Sequence, residues 1–269
     1  MNNKIDFALV ISVKNANPNG DPLNGNMPRT NIDGLGEISD VCLKRKIRDR
    51  LMDKGEKIFV QSDERAIDGK KSLKERFDDF LKKKETKNSA ETMKAACEEW
   101  FDVRTFGQVF AFKGSGSDGV SIPVRGPVTM QSAFSVAQVG ITSTQITKSV
   151  NSEDGPKKGS DTMGMKHRVD RAIYVAYGAI TPQLAERTGF SDKDAETFKS
   201  VLPRLFEGDA SSARPEGSMQ VLKVIWWKHN SKGGQYSSAK VHNLLKVNED
   251  GSYKLDSLDG LKAEEIDGY

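Results

Sequence analysis

The hydrophobic pattern of the 269-residue chain predicts an α+β fold in which one sheet carries two insertions. Three observations predict it. Apolar segments follow one another in the order strand, helix, strands, helix, strand. Two helical patterns, each opened by a serine, are inserted after the first helix. A long polar and apolar alternation ahead of the closing part reads as a protruding hairpin arm. With 36% hydrophobic and 29% charged residues, the chain buries one sizeable core with insertions.

Residues 5–13, IDFALVISV, alternate only loosely and predict a strand buried on both faces. Residues 15–36, NANPNGDPLNGNMPRTNIDGLG, form a loop dense in Asn, Gly and Pro that is too long for a simple connection. Its spacing Asn15-x-Asn17-x-Asn19-Gly20 imitates a calcium loop, but Asn26 stands at the twelfth position where a bidentate Glu is required. Calcium is rejected. A series of turns and a phosphate-holding loop of side-chain and backbone amides remain.

Residues 39–52, SDVCLKRKIRDRLM, predict a helix capped by Ser39 or Asp40 and ended at Gly55. Leu43, Ile47 and Leu51 recur four apart with Val41 beside them, so one face packs while Lys44, Arg45, Lys46, Arg48 and Arg50 project elsewhere. Charge-rich faces are ordinarily solvated. Five cations in seven residues, offset only by Asp49 in a chain of net charge +3, nevertheless point to an anionic partner.

Residues 56–62 read as a short strand, and 72–84 and 89–101 as helices of an inserted subdomain. Their apolar residues, Leu73, Phe77, Phe80 and Leu81, then Met93, Ala96, Cys97 and Trp100, keep helical spacing, with Trp100 a core residue. Residues 102–112 and 120–136 read as strands around a flexible 113–119 linker, with Phe110 and Phe112 candidates for the core. Arg104, Phe106, Gly107 and Val109 match part of an RNA-recognition strand signature that Thr105, Gln108 and Ala111 break.

From Val139 the arm alternates, passes a Gly-rich stretch at 151–164 and ends in a mixture of methionines with Lys166, His167 and Arg168. That mixture suits contact with bases through apolar groups and with phosphates through cations. The closing part reads as a strand at 172–180, a helix at 191–208 that Pro203 bends or ends early, and strands at 219–229 and 239–247 joined by a turn at Lys232, Gly233 and Gly234. This order is that of a ferredoxin-like or RNA-recognition-type sheet with helices on one face.

The longest apolar run is far short of a membrane span and the N-terminus has no cleavage signal, so a soluble cytosolic protein without membrane association is expected. Cys42 and Cys97, the two cysteines, fall inside helical patterns and read as reduced structural thiols, with no zinc, other metal or cofactor implied. Residues 248–269 hold seven acidic residues against Lys254 and Lys262, a net −5 that leaves +8 on the rest. The basic body suits a polyanion, and the acidic tail reads as a solvated terminus.

Taken in order, the first strand followed by NANPNGDP, then SDVCLKRKIRDRL, DVRTFG and RGPVTMQSAFSV, resembles the multicopy backbone subunit of type I CRISPR Cascade surveillance complexes, within the RAMP superfamily and most like type I-C. The resemblance runs to about the last strand. It implies an RNA-recognition-type palm (1–60, 102–138 with its web strands, and 169–247), a helical finger at 61–101, a hairpin thumb at 139–168 and an acidic tail at 248–269. It also implies a non-catalytic, cytoplasmic chain that stacks head to tail along CRISPR guide RNA. The chain would grip sugar and phosphate and leave bases free to pair with target DNA, alongside guide-end-binding, large and small subunits.

By motif, Lys44, Arg45 and Arg48 would line the phosphate path, with Arg104, Gln131 and Ser132 near it, and Met163, Lys166 and Arg168 in the thumb. The competing reading is a ribonuclease of the same superfamily acting on guide or target RNA. Related type III backbone subunits cleave with an Asp in the loop after the first strand, where Asp21 and Asp33 stand. The three histidines offer it little: His229 and His242 fall in strand patterns, and His167 lies at the base of the arm.

Overall fold

β1 (Ile5–Ala16) forms the axis of the molecule, and its alternating side chains organise two cores. The computed structural model describes residues 1–84, 86, 88–111, 121–147 and 163–269. After β1 come β2 (Gly20–Asp21), β3 (Met27–Pro28) and β4 (Leu35–Ile38), then α1 (Asp40–Asp53), α2 (Leu73–Lys84), α3 (Ser89–Glu99) and α4 (Phe101–Phe106). The middle of the chain holds β5 (Gly107–Phe110), β6 (Ile122–Arg125), β7 (Val128–Met130), β8 (Ala133–Gln138), β9 (Ile141–Thr147) and β10 (Met163–Ile180). It closes with α5 (Pro182–Thr188), α6 (Asp192–Val201), β11 (Met219–Lys228), α7 (Ser238–His242), β12 (Leu245–Val247), β13 (Tyr253–Leu255) and β14 (Ala263–Asp267).

The result is a mixed α and β structure built on a large antiparallel sheet. Its order is β14-β11-β1-β10-β8-β4, with β7 and β9 also paired to β10. β1 is central: it pairs β10 from Ile5↔Ile180 to Ala16↔Val169, and β11 from Ile5↔Lys228 to Val13↔Met219. Phe7, Leu9, Ile11 and Val13 face α1, through Leu43, Ile47 and Leu51, and α6, through Ala195, Phe198 and Val201. Phe7 stacks on Trp226 at 5.7 Å and meets Phe198 edge-on at 5.5 Å. Ala8 and Val10 face the other way, against Ile173, Ile225, Trp227, Val241 and Leu261.

A separate aromatic cluster joins α2 and α3 to the β5–β6 hairpin. Phe77 stacks on Phe110 at 4.5 Å, and Trp100 lies 4.6 Å from Phe80 and 4.7 Å from Phe59. Trp100 is therefore a core residue, as expected. Two glycines allow the hairpin to leave α4: a Cβ on Gly107, whose φ is +83°, would meet Val124 O at 2.3 Å, and one on Gly126 would meet Thr105 O at 2.3 Å.

Several sequence expectations need correction. Residues 56–62 form no strand, because the buried Asp102 carboxylate takes the N–H groups of Phe59 at 2.7 Å and Val60 at 3.0 Å. The expected 102–112 strand begins as helix, so the partial RNA-recognition signature straddles α4 and β5. The 239–247 strand is α7 followed by β12. Helices do not cover one face alone, since α7 and the segment around β12 and β13 cover the second. The acidic terminus is no solvated tail: β14 pairs β11 from Lys223↔Asp267 to Trp227↔Ala263.

α3 is capped by Asn88 rather than Ser89, and Val41 is exposed rather than packed. Pro203 does end α6 early, inside a 3-10 turn at Leu202–Arg204. Phe112, the 113–119 linker, Val120 and residues 148–162 of the expected arm lie outside the described residues.

Candidate nucleic-acid interface

The asparagine-rich loop folds onto the start of α1. Asn15 and Asn26 adopt positive φ, 54° and 60°, which Asn tolerates better than most residues. Buried Asn17 donates its amide to Asn26 O at 2.7 Å, and Asn19 Oδ1 accepts the Ser39 N–H and hydroxyl at 2.9 and 2.8 Å. Ser39 in turn caps α1 by accepting the Cys42 N–H. The expected Asn turns are thus realised: Asn17 closes the loop on itself and Asn19 fixes it to the helix.

The five cations of α1 divide by burial. Lys46 and Arg50, expected to project, are buried. Lys46 pairs with Asp209, which also takes Arg214 at 3.0 Å, and Arg50 meets Asp53 at 3.1 Å. Burial lowers the Lys46 pKa, against the pull of Asp209. Burial alone would raise the Asp209 pKa, but Lys46 and Arg214 hold it below the usual carboxylate range.

Lys44 reaches back to Asp40 at 2.8 Å, while Arg45 is 53% exposed and only 3.8 Å contact links it to Asp49. Arg48 donates to Asp102 at 2.9 Å and lies over the Phe106 ring, whose other cation is Lys44. Arg104 donates twice to Asp194, at 2.9 and 3.2 Å, above the Phe101 ring. All three Arg104 guanidinium nitrogens have partners, the third being Cys97 O, whereas Arg48 gives only its Nε to Asp102, a difference the motif alone did not reveal.

Gln131 is exposed and Ser132 half-buried between β7 and β8, where the Gln131 N–H donates to Tyr177 O at 2.8 Å. Met163, Lys166 and Arg168 sit on the arm that β9 and β10 form, in the register Met163↔Thr147, Lys166↔Thr144, Arg168↔Thr142. Strand alternation separates them. One side carries Met163, Met165 and His167, the other Lys166 and Arg168 with Ile146. Met163 and Met165 are about half exposed, and the sequence reading did not single out Ile146, itself 50% exposed.

Of the groups a ribonuclease would use, His229, His242 and Asp21 are hydrogen-bonded within the fold, His167 Nδ1 lies 2.7 Å from the Ser143 hydroxyl, and Asp33 is exposed. His229 Nδ1 accepts the Gln235 N–H at 3.0 Å, so Nε2 carries the proton donated to buried Asp6 at 2.8 Å. His242, on a helix rather than the expected strand, donates to Gly178 O at 3.2 Å, and burial lowers its pKa. Asp21 takes Arg29 and the Leu23 N–H at 3.2 Å, whereas Asp33 is exposed in a turn held by Asn31. Burial pushes the Cys97 thiol up to about 11. Among the described residues no His, Cys, Asp and Glu group is placed to hold a metal, and no helix is long and apolar enough to cross a membrane.

The chain matches, over residues 3–265, the family described as CRISPR-associated protein Cas7. It belongs to the Cas7 family. A curated relative, CRISPR-associated protein Cas7 of Haloferax volcanii, is 27% identical over 271 aligned residues covering 95% of this chain and 78% of that protein. Among solved structures, a chain described as part of a CRISPR RNA-guided surveillance complex, pre-nicking, aligns with 83% of this one and 75% of its own length, at 18% identity and a TM-score of 0.49. A second, from a CRISPR RNA-guided surveillance complex, covers 83% and 68% at 18% identity and a TM-score of 0.45. Cas7 membership thus bears out the family resemblance read from the ordered motifs.

Proposed function

We propose that this Cas7 chain is a non-catalytic subunit that stacks head to tail along CRISPR guide RNA, holding sugar and phosphate while the bases remain free for target DNA. The observation that carries the reading is the family match across residues 3–265. The surface is in keeping with it: exposed Arg45, Lys166 and Arg168 supply cations, Lys44, Gln131 and Ser132 supply further donors, and Met163 offers an apolar contact for a base. Arg48 and Arg104 act on this reading as positioning residues, which brace α1 and α4 through Asp102 and Asp194.

The order β11-β1-β10-β8, with α1 and α6 on one face, supports the ferredoxin-like, RNA-recognition-type palm. On that frame residues 1–60, 102–138 and 169–247 form the palm and web, 61–101 the finger, 139–168 the thumb, and 248–269 the acidic C-terminal segment. The type I-C assignment, the cytoplasmic setting and partnership with the guide-end-binding, large and small subunits belong to the same proposal.

The test is native mass measurement and nuclease protection with guide RNA, for wild type and for Arg45, Lys166 and Arg168 changed together to Ala. Regularly spaced, intact protected segments that the variant loses support the reading. RNA cleaved by the purified wild type, or left unbound by it, overturns the reading.

A further inference from the structure

Of the eight methionines in the chain, the two most exposed share one side of the arm. Met163 is 55% and Met165 54% exposed, whereas Met130 and Met219 are buried and Met1, Met27, Met52 and Met93 half-buried. Neither arm methionine belongs to any of the three cores. An apolar contact alone does not call for methionine, since leucine offers a similar area without a reactive atom. What methionine adds is a thioether that peroxides oxidise to a polar sulfoxide.

The facing strand supplies a group suited to the product. Gln145 of β9 stands opposite Met165, and its side-chain amide donates to Met163 Sδ at 3.2 Å. Thioether sulfur is a weak acceptor. An oxygen added to that sulfur gives the amide a stronger one at the same place. Beyond the root pair Ile141↔Val169, the other residues on this side, Ser143, Gln145, Thr147 and His167, are polar, and His167 Nδ1 already meets the Ser143 hydroxyl at 2.7 Å. The methionines are therefore the apolar part of an otherwise polar side, and oxidation removes that part.

We infer that Met163 and Met165 form a site of reversible oxidation, at which hydrogen peroxide converts both thioethers to sulfoxides and thereby weakens the arm's hold on guide RNA. In each step a sulfur lone pair attacks one peroxide oxygen and the O–O bond breaks. The departing hydroxide takes the proton of the transferred oxygen and leaves as water, so sulfur is oxidised as the peroxide is reduced. The effect on binding rests on the guide-RNA reading above; the oxidation itself does not. Because the cores lie elsewhere, the body stays folded while the arm changes character.

The experiment treats the RNA-free chain with dilute hydrogen peroxide, maps oxidised methionines by peptide mass, and measures thermal melting and guide-RNA affinity before and after. Met163 and Met165 take up oxygen ahead of the other six, and the melting midpoint does not move. Affinity falls about tenfold, the share of two methionine contacts to base rings, and returns after treatment with methionine sulfoxide reductases for both epimers. Met163→Leu/Met165→Leu shows no such fall when its own treated and untreated forms are compared. Met163→Gln/Met165→Gln, polar from the start, binds like the oxidised chain without treatment.

Oxidation of the other methionines first, or at the same rate, overturns the site. A midpoint lowered by selective oxidation likewise overturns it, by making the two residues structural. Selective oxidation with affinity unchanged, or an equal fall in the leucine variant, overturns the control of binding while leaving the guide-RNA reading intact. Untreated wild type that binds no RNA removes that reading and the control of binding together.

Discussion

At the scale of single residues, burial separates cations that hold the protein together from those open to a ligand. Asp102 is 1% exposed and accepts two backbone N–H groups besides Arg48. Arg48→Ala leaves that carboxylate with no cation, and loss of one partner of a buried pair costs about 3 kcal/mol. Chemical denaturation of the RNA-free chain should show this loss for Arg48→Ala and less than about 0.5 kcal/mol for exposed Arg45→Ala. In RNA binding, Arg45→Ala should flatten the salt slope by about 0.7. His242 supplies a pH signature. Its folded pKa is lowered, chiefly by burial and against the pull of Asp6, so the unfolded chain binds the proton more readily. Stability is therefore full above the ordinary histidine value near 6.5 and falls as pH drops from there towards the folded pKa, by at most about 1.4 kcal/mol per pH unit. Replacing His242 with Gln should remove that slope in denaturation midpoints measured across the window, and a profile unchanged by the substitution would show that burial of His242 does not govern it.

At the scale of elements, the sequence was legible wherever a local cap and a local period agreed. Ser39 and the Leu43, Ile47, Leu51 spacing fix α1, and the reciprocal Ser191–Asp194 box starts α6. It was misleading where a distant group decides the backbone. Residues 56–62 look like a strand, yet the N–H groups of Phe59 and Val60 bond to Asp102, more than forty residues on. Of the site, the arm was legible because its residues alternate polar and apolar, whereas Gln131 entered only through the motif resemblance. The internal ion pairs of Arg48 and Arg104 were not, because their partners Asp102 and Asp194 have no sequence signal of pairing. The helical insertion depends on rings brought together from three elements and a loop, with Phe110 of β5 touching Phe59, Phe77 and Trp100. Phe110→Ala should cost about 3–5 kcal/mol. Because this cluster is distinct from the cores on the sheet, hydrogen exchange should rise first in α2, α3 and the β5–β6 hairpin, while β1 keeps its protection. Simultaneous loss of protection in β1 would mean that the two clusters unfold as one unit.

At the scale of the whole molecule, one strand links the body to the arm. β10 runs unbroken for 18 residues: Val169–Ile180 lies against β1, whereas Met163–Arg168 pairs only with β9 among the described strands. At about 3.4 Å per residue the described arm is roughly 20 Å long, far enough to reach beyond its own sheet. Its two sides, methionines on one and Lys166 and Arg168 on the other, have no matching surface within the described pairing, so on the stacking proposal they serve the strand and the neighbouring copy. This separates folding from assembly. The Asp170 N–H to Gly140 O bond marks where the two arm strands converge, so a short turn joining residue 140 to residue 169 can replace 141–168 without disturbing the β1–β10 register. The armless chain should melt within a few degrees of wild type, because none of the three cores draws on the arm beyond Val169. The replacement removes five cations, Lys148, Lys157, Lys158, Lys166 and Arg168, and the salt slope of the armless chain should fall by at least about 1.4, the share of Lys166 and Arg168. Titrated onto guide RNA and weighed by native mass, it should occupy sites independently, whereas wild type passes from bare to filled RNA with few intermediates. Cooperative filling by the armless chain would mean that neighbours meet through the body alone, and the arm would then be a nucleic-acid contact with no part in stacking.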